Sequence, residues 1–337
     1  MRVGVAGASG YVGTELLRCL AAHRGFEVAV VTAERHVGER LADHAPSLAA
    51  AYGPLVLSPG TPEALSGCEL VFVALPHGRS APLVGALRAA GSIVVDLGAD
   101  LRLRDAAAWT TWYGETHPAP ELVGTAVYGL VERHRDELKG ARTVAVPGCY
   151  PTATVLALGP LVDGGLLGAG PVAVSALSGA SGAGAALRED LHFPALADDA
   201  HAYGLLTHRH TAEMEQELGR TVLFTPHLVP MDRGLLATCA APAAPGVDTA
   251  GALSALHDAY DHEAFVVVTE DPPRPKAVRG TNVAHVTARV DPRTGWLLAL
   301  CAIDNLGKGA AGQAIQCANV VCGLDEGEGL SLAGVWP

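Results

Sequence analysis

Residues 2–17 read Arg2-Val3-Gly4-Val5-Ala6-Gly7-Ala8-Ser9-Gly10-Tyr11-Val12-Gly13-Thr14-Glu15-Leu16-Leu17. The first five are a short β-branched run of strand type. Three glycines follow at Gly-x-x-Gly-x-x-Gly spacing, and then a helix-like stretch through Leu20. Strand, glycine turn and helix in this order open a dinucleotide-binding unit. The first two glycines let the backbone turn and approach a pyrophosphate, and the third lets the helix pack on the strand. Gly7, Ser9, Gly10, Tyr11, Val12 and Gly13 are therefore candidate cofactor contacts.

Further along, Glu27–Val31 is a second strand, ending in Thr32-Ala33-Glu34-Arg35-His36. An acid at this point holds a ribose 2′-hydroxyl, whereas Thr32, Arg35 and Arg40 suit a 2′-phosphate. The balance favours NADP, with Glu34 arguing the other way. Leu70–Leu75 is a third strand, ending at Pro76-His77-Gly78, where Pro76 and His77 are candidate cofactor contacts. A helix over Ser80–Ala90 precedes a fourth strand, Ser92–Leu97. Strands alternating with helices at this spacing predict an α/β Rossmann-type, doubly wound parallel sheet. Arg102 and Arg104 lie on a loop at the carboxyl side of such a strand. Their guanidinium groups suit a phosphate or carboxylate of the substrate.

A second decisive stretch is Pro147-Gly148-Cys149-Tyr150-Pro151-Thr152-Ala153. The strand-like Thr143–Val146 leads in and a helix-like run from Thr152 leads out. Cys149 falls where a helix begins, beside unpaired N–H groups and the positive end of the dipole. That setting favours thiolate, the nucleophilic form. The alternative is a small buried hydrophobe.

Beyond it the pattern changes to an α+β substrate and dimerisation domain with a largely antiparallel sheet. Pro171–Ala176 reads as strand. Ser178-Gly179-Ala180-Ser181-Gly182-Ala183-Gly184 departs from a serine nucleophile elbow at Ala183 and reads as a loop offering backbone N–H groups and hydroxyls to a ligand. His208-Arg209-His210 precedes a helix ending near Leu218, with Thr207 or Thr211 as its cap. As a metal site this segment lacks an obvious third ligand. It is an ordinary polar helix start, or it carries an acid–base histidine and a substrate-anchoring Arg209. Leu223–Pro230 and Gly234–Ala240 read as strands around a tight turn at Met231-Asp232-Arg233. Asn282–Val290 and Trp296–Ile303 form a further strand pair. A small-residue helix after Asn305 is expected to return to the first domain. The expected boundaries are 1–148 for the NADP-binding domain, 149–308 for the catalytic and oligomerisation domain, and 309–337 for the returning helix.

The chain has 337 residues, 49% hydrophobic and 17% charged, which fits two globular domains. A formal charge of −12 argues against nucleic acid as the main partner. No apolar run reaches the length of a membrane span. Seven scattered cysteines without Cys-x-x-Cys spacing, and the absence of a signal-peptide pattern, predict a cytoplasmic protein with free thiols and no cysteine-based metal site.

A nicotinamide site and a helix-terminal cysteine in one chain point to acyl reduction. The thiolate attacks an acyl phosphate, a thioester forms, and hydride converts it to an aldehyde. Histidine suits the accompanying proton transfers. These residues resemble the N-acetyl-γ-glutamyl-phosphate reductases of arginine biosynthesis over nearly the whole length. The likeness rests on Gly7–Gly13, Pro147–Thr152, Ser178–Gly184, His208–Glu213, Phe224–Pro230, Arg279-Gly280-Thr281-Asn282 and Asp304–Gln313. It implies Cys149 as nucleophile, NADP as cofactor, a C-terminal helix closing the cofactor domain, and a homodimer or homotetramer. Ser178, Ser181 and Arg209 become candidate substrate contacts, and Gly182 and Asn305 candidate cofactor contacts.

The related aspartate-semialdehyde dehydrogenases carry a catalytic histidine where Leu235 stands here. The acid–base role therefore moves to His208 or His210, with His208 slightly favoured. Ala311 replaces the family's customary serine, which removes any hydroxyl contact there. An acyl-phosphate reductase acting on an aspartyl or amino-adipyl phosphate is the neighbouring alternative. A non-catalytic NADP-binding regulator is the alternative of a different class.

Overall fold

A computed structural model describes residues 1–336. The chain divides into two compact units, one comprising Met1–Pro147 and Ala310–Leu330, the other Gly148–Gly309 and the residues from Ser331 onward.

The first unit is built on β1 (Arg2–Ala6), β2 (Glu27–Ala33), β3 (Ser58–Pro59), β4 (Leu70–Val73), β5 (Ile93–Asp96), β6 (Val127–Tyr128) and β7 (Thr143–Ala145). All pairs are parallel, in the order β3-β2-β1-β4-β5-β7-β6. The order reverses at β1, and the loops after β1 and β4 flank that point, where a doubly wound sheet takes its ligand. The apolar residues Leu70-Val71-Phe72-Val73 of β4 run without alternation and all four are buried, as in a sheet covered on both faces. Helices α1 (Tyr11–Leu20), α2 (Leu41–His44), α3 (Ala49–Tyr52), α4 (Ser80–Ala89), α5 (Ala106–Tyr113) and α6 (Val131–Leu138) supply the cover.

The second unit opens with α7 (Cys149–Asp163), a 15-residue helix apolar on every side. Such a helix must be buried all round, and every residue from Tyr150 to Gly159 is. Around it are β8 (Val172–Gly179), α8 (Phe193–Leu196), β9 (His201–Ala202), α9 (His210–Leu218), β10 (Val222–Val229), β11 (Leu235–Pro242), α10 (Thr249–Tyr260), β12 (Val266–Val268), β13 (Ala284–Asp291) and β14 (Trp296–Ile303). The sheet order is β12-β13-β14-β11-β8-β10-β9. Most pairs are antiparallel, with β8/β10 and β12/β13 parallel.

Two expectations are corrected. The turn at Met231–Arg233 does not make a hairpin, because β8 lies between β10 and β11 and bonds to both. Neither Thr207 nor Thr211 caps α9. Arg209 precedes its first residue, no side chain caps it, and Thr211 lies inside the helix.

After a π-helical turn at Gly307–Ala311, α11 (Gly312–Val321) belongs to the first unit. Ala314, Ile315, Cys317, Ala318 and Val321 join the core of β1, α1 and α6. Gln313 Nε2 donates to Gly129 O at 2.8 Å. No helix among the described residues is long and apolar enough to cross a membrane.

Candidate functional site

In the first unit the glycine turn is forced by contact. Gly7 has φ +82°, and a Cβ there would stand 2.3 Å from Ala74 O. At Gly13 a Cβ would stand 2.3 Å from Gly7 O, so only glycine lets α1 start so close to the turn. Thr32 O accepts from Gly7 N and Ala8 N at 3.1 and 2.9 Å. Gly10 sits at the N-cap of α1 in extended conformation and no side chain caps that helix. Its N-terminal N–H groups, with Ser9, Gly10, Tyr11 and Val12 around them, suit a pyrophosphate. The start of α4 differs, because the Asp100 carboxylate already accepts from Gly78 N, Ser80 N and Ala81 N.

The other candidates of this unit are less uniform. Thr32 is fully buried and its carbonyl braces the turn. Arg35 is exposed, whereas Glu34 pairs with Arg79 at the start of α4. Pro76 and His77 are exposed beside Tyr113, whose ring lies 5.8 Å from that of His77. Arg104 is exposed, and Arg102 is half-buried with Nη2 donating to Leu97 O at 2.9 Å. Burial pushes the Asp96 carboxyl up to about 7, while Gly98 N and Ser80 Oγ donate to it and temper the rise.

In the second unit Cys149 is the first residue of α7, half-buried, with Gly148 extended at the N-cap. The partial positive charge of the helix start stabilises an anion at that position. Thr152 N and Oγ1 both donate to Gly148 O at 3.0 Å, closing the first turn. Gly309 lies against the cysteine, and a Cβ on it would stand 2.7 Å from Cys149 Cβ.

His210 begins α9 and its ring edges onto the backbone next to the cysteine, since a Cβ on Gly148 would meet Nε2 at 2.3 Å. Glu213, one turn along α9 and 1% exposed, has Oε1 3.9 Å from His210 Nε2. Its Oε2 accepts from Gly148 N at 3.1 Å. One buried carboxylate thus faces both the imidazole and the amide at the start of α7. Positions three apart on a helix share a face, so His210 and Glu213 were paired in the sequence by spacing. Glu213 is a site residue that its spacing from His210 marks and that local motif alone does not.

His208 is placed differently. Its ring packs edge-on to Tyr150, Tyr203 and Phe224 at 5.5, 5.6 and 5.2 Å, and Nδ1 accepts from His210 N. Burial, with Arg209 adding, pushes its pKa down to about 4. It is neutral near pH 7, and its Nδ1 braces the backbone of His210. Tyr150 and Tyr203 share a hydrogen bond at 2.9 Å, and burial raises both phenols, Tyr203 to about 12. Both stay protonated at neutral pH.

In the Ser178–Gly184 segment three N–H groups turn inward, Gly179 N to Gly234 O, Ala180 N to Met231 O and Ser181 N to Asp232 O. Ser178 is buried with its Oγ donating to Gly179 O, and a Cβ on Gly182 would meet that Oγ at 2.6 Å. Asn305 Nδ2 donates to Ser181 Oγ at 3.0 Å while Asn305 Oδ1 accepts from Gly234 N at 2.7 Å. Ser181 and Asn305 therefore lock the loop to the strand ends.

A turn that suits a pyrophosphate and a helix-terminal cysteine flanked by imidazole and carboxylate have clear relatives. Residues 2–141 match the family model for the semialdehyde dehydrogenase NAD binding domain, and residues 149–305 that for the semialdehyde dehydrogenase dimerisation domain. The N-acetyl-γ-glutamyl-phosphate reductase of Symbiobacterium thermophilum is 46% identical, covering 100% of this chain and 99% of its own. That of Pseudomonas putida is 44% identical over 100% of both. The chain belongs to the N-acetyl-γ-glutamyl-phosphate reductase family. As a member it is an oxidoreductase with a nicotinamide-binding domain.

Two solved structures share the fold of this reductase-family chain. Aspartate semialdehyde dehydrogenase II from Vibrio cholerae, complexed with ASA, has a TM-score of 0.69 at 17% identity, covering 95% of this chain and 97% of its own. The Candida albicans enzyme with NADP has a TM-score of 0.68 at 19% identity, with the same coverage. Leu235 is fully buried at the start of β11. His210 and Glu213 present imidazole and carboxylate from α9.

Proposed function

We propose that this chain reduces N-acetyl-γ-glutamyl phosphate to N-acetylglutamate semialdehyde, with release of phosphate, by way of a thioester on Cys149. The observation that carries it is the convergence of His210 and Glu213 on the helix start that bears Cys149. The Cys149 thiolate attacks the acyl carbon, the bond to the phosphate oxygen breaks, and phosphate leaves. NADPH, when bound, supplies the hydride that reduces the thioester carbon. His210 protonates the resulting oxygen and then takes that proton back as the carbon–sulfur bond breaks. Aldehyde and thiolate are the products. Glu213 holds the imidazole in place and stabilises its charged form, as the third member of nucleophile–base–acid constellations does. Arg209, between the two histidines, is offered as the anchor for an anionic group of the substrate.

Gly7, Ser9, Gly10, Tyr11, Val12 and Gly13 would hold the dinucleotide, with Arg35 and Arg79 toward the ribose phosphate, which supports NADP. The second sheet suits self-association. Register places Leu177, Leu223, Val267, Trp296 and Leu298 on one face, and all are exposed. An apolar sheet face of this kind calls for a partner, and a second copy, in a dimer or a tetramer, fits it. A cytoplasmic location agrees with this reading.

The test is the reverse reaction. Purified protein is given N-acetylglutamate semialdehyde, phosphate and NADP or NAD, beside Cys149→Ser. Turnover with NADP by the parent, and loss of at least about a thousandfold in the variant, is expected. Comparable turnover by the serine variant would remove the thioester route.

A further inference from the structure

His36, Glu39 and His44 stand together on the segment that follows β2, and none of the three is given a role above. We infer that they form a binding site for a divalent transition metal of the zinc class. Their ligand atoms all lie within 4.8 Å of one another. His36 Nδ1 is 3.3 Å from Glu39 Oε1, and His44 Nε2 is 2.6 Å from Glu39 Oε2. The two imidazole rings are 3.9 Å apart. Two imidazoles and one carboxylate are a donor set that zinc accepts with a fourth position open to solvent. Bonds of about 2.0–2.2 Å in a tetrahedron put neighbouring ligand atoms roughly 3.3 Å apart. The His36–Glu39 pair already has that spacing. The His44–Glu39 pair opens to it by rotation of the Glu39 side chain, which is half exposed.

The backbone beneath the cluster is fixed, unlike that of a chance meeting of surface side chains. Gly38 N donates to Leu57 O, Leu57 N to Glu39 O and Leu41 N to Leu55 O, each at 2.9 Å. Leu41, at the start of α2, is fully buried and anchors the helix that carries His44. His36 has φ +70°, a left-handed conformation that turns its ring back over Glu39 and that few side chains adopt. The cations nearest in sequence are Arg35, which is exposed, and Arg40, which pairs with Asp43. A bound ion would tie the residue after Arg35 to α2 and so fix the exit of β2.

The site is tested by titrating Co²⁺ into the full chain in a Cys149→Ser background, so that the half-buried thiol does not compete. Calorimetry and visible absorption are read at about pH 7.5. One saturable site is expected, with absorption bands of low-coordinate Co²⁺, no thiolate charge-transfer band, and displacement by Zn²⁺. His36→Asn, chosen because asparagine tolerates the left-handed conformation, and His44→Gln should each abolish the saturable phase. Their metal-free melting temperatures should stay within about 2 °C of the parent. If His36→Asn fails to fold, His44→Gln and Glu39→Gln carry the same test. No saturable binding in the parent, binding that survives these variants, or a thiolate band would overturn the assignment.

Discussion

The imidazole of His210 occupies the space that a side chain on Gly148 would need, with Nε2 2.3 Å from the position of that Cβ. Gly148 is not there for backbone freedom, since φ −68° and ψ 157° suit any residue. Gly148→Ala should therefore fold and then push the imidazole away from Cys149. A displacement near 1 Å costs about a hundredfold in rate. We expect kcat to fall by about that factor, with a melting temperature close to the parent's. Unchanged kcat in a folded variant would place the proton-transfer group elsewhere.

The two histidines should separate in kinetics and in stability. His210→Asn is expected to lower kcat by about 10²–10⁴-fold with little change in KM, the range for loss of an acid–base group. His208→Asn keeps an acceptor for His210 N and should lower kcat far less. Its signature lies in acid stability. His208 titrates near 4 when folded, against an ordinary 6.5, so the unfolded chain takes up the proton first as pH falls. The stabilisation is complete above about 6.5, declines through that window and levels off below about 4. Between pH 7 and 5 this amounts to at most about 2 kcal/mol. Urea unfolding at both pH values should show a shallower loss in His208→Asn than in the parent. Equal slopes would mean that His208 is not held neutral by its packing.

Much of this site was legible from local pattern. Gly7–Gly13 and Cys149 are each specified by a strand, a turn and a helix contiguous in sequence, and Gly7 φ and the start of α7 follow from those few residues. The contribution of His210 over His208 was not. It depends on Tyr150, Tyr203 and Phe224, which close around one ring and leave the other against Gly148. The contacts of Tyr150 with His208 and of Gly148 with His210 join residues about sixty apart, and periodicity carries no trace of them. The strand order failed for a similar reason. Leu223–Pro230 and Gly234–Ala240 adjoin in sequence, but a turn signal does not tell a hairpin from two strands separated by β8. The inward N–H groups of Ser178–Gly184 depend on carbonyls of Met231, Asp232 and Gly234, again distant in sequence.

Cofactor preference should respond to Arg79. Glu34 stands where an acid favours the ribose 2′-hydroxyl of NAD, yet its carboxylate is paired with Arg79. Arg79→Ala leaves that charge uncompensated next to a 2′-phosphate. The ratio of kcat/KM for NADP to that for NAD should fall by about fivefold, a surface-scale effect near 1 kcal/mol. Glu34→Gln should move the ratio the other way. A ratio insensitive to both would show that these side chains do not face the ribose.

Gly309 and Asp304 separate placement of the nucleophile from stability of its support. Asp304 is fully buried and its carboxylate accepts from Arg233, Gly280 N, Leu306 N and Gly307 N. Its carbonyl accepts from Gly309 N at 2.9 Å, which brings Gly309 onto Cys149. Asp304→Ala removes a buried ion pair with Arg233 and leaves several N–H groups without their acceptor. It should destabilise by about 3–5 kcal/mol, as broken buried ion pairs do, visible as a lower urea midpoint. Gly309→Ala acts otherwise. Gly309 is not in the left-handed region, so alanine suits its backbone, but the new methyl would stand 2.7 Å from Cys149 Cβ. The cysteine must shift, and kcat should fall by about a hundredfold while the urea midpoint changes little. The rate of Cys149 alkylation by iodoacetamide should change in the same variant. If Gly309→Ala instead behaves like Asp304→Ala, with loss of stability and no specific loss of rate, the glycine serves the fold and the position of the sulfur is set by α7 alone.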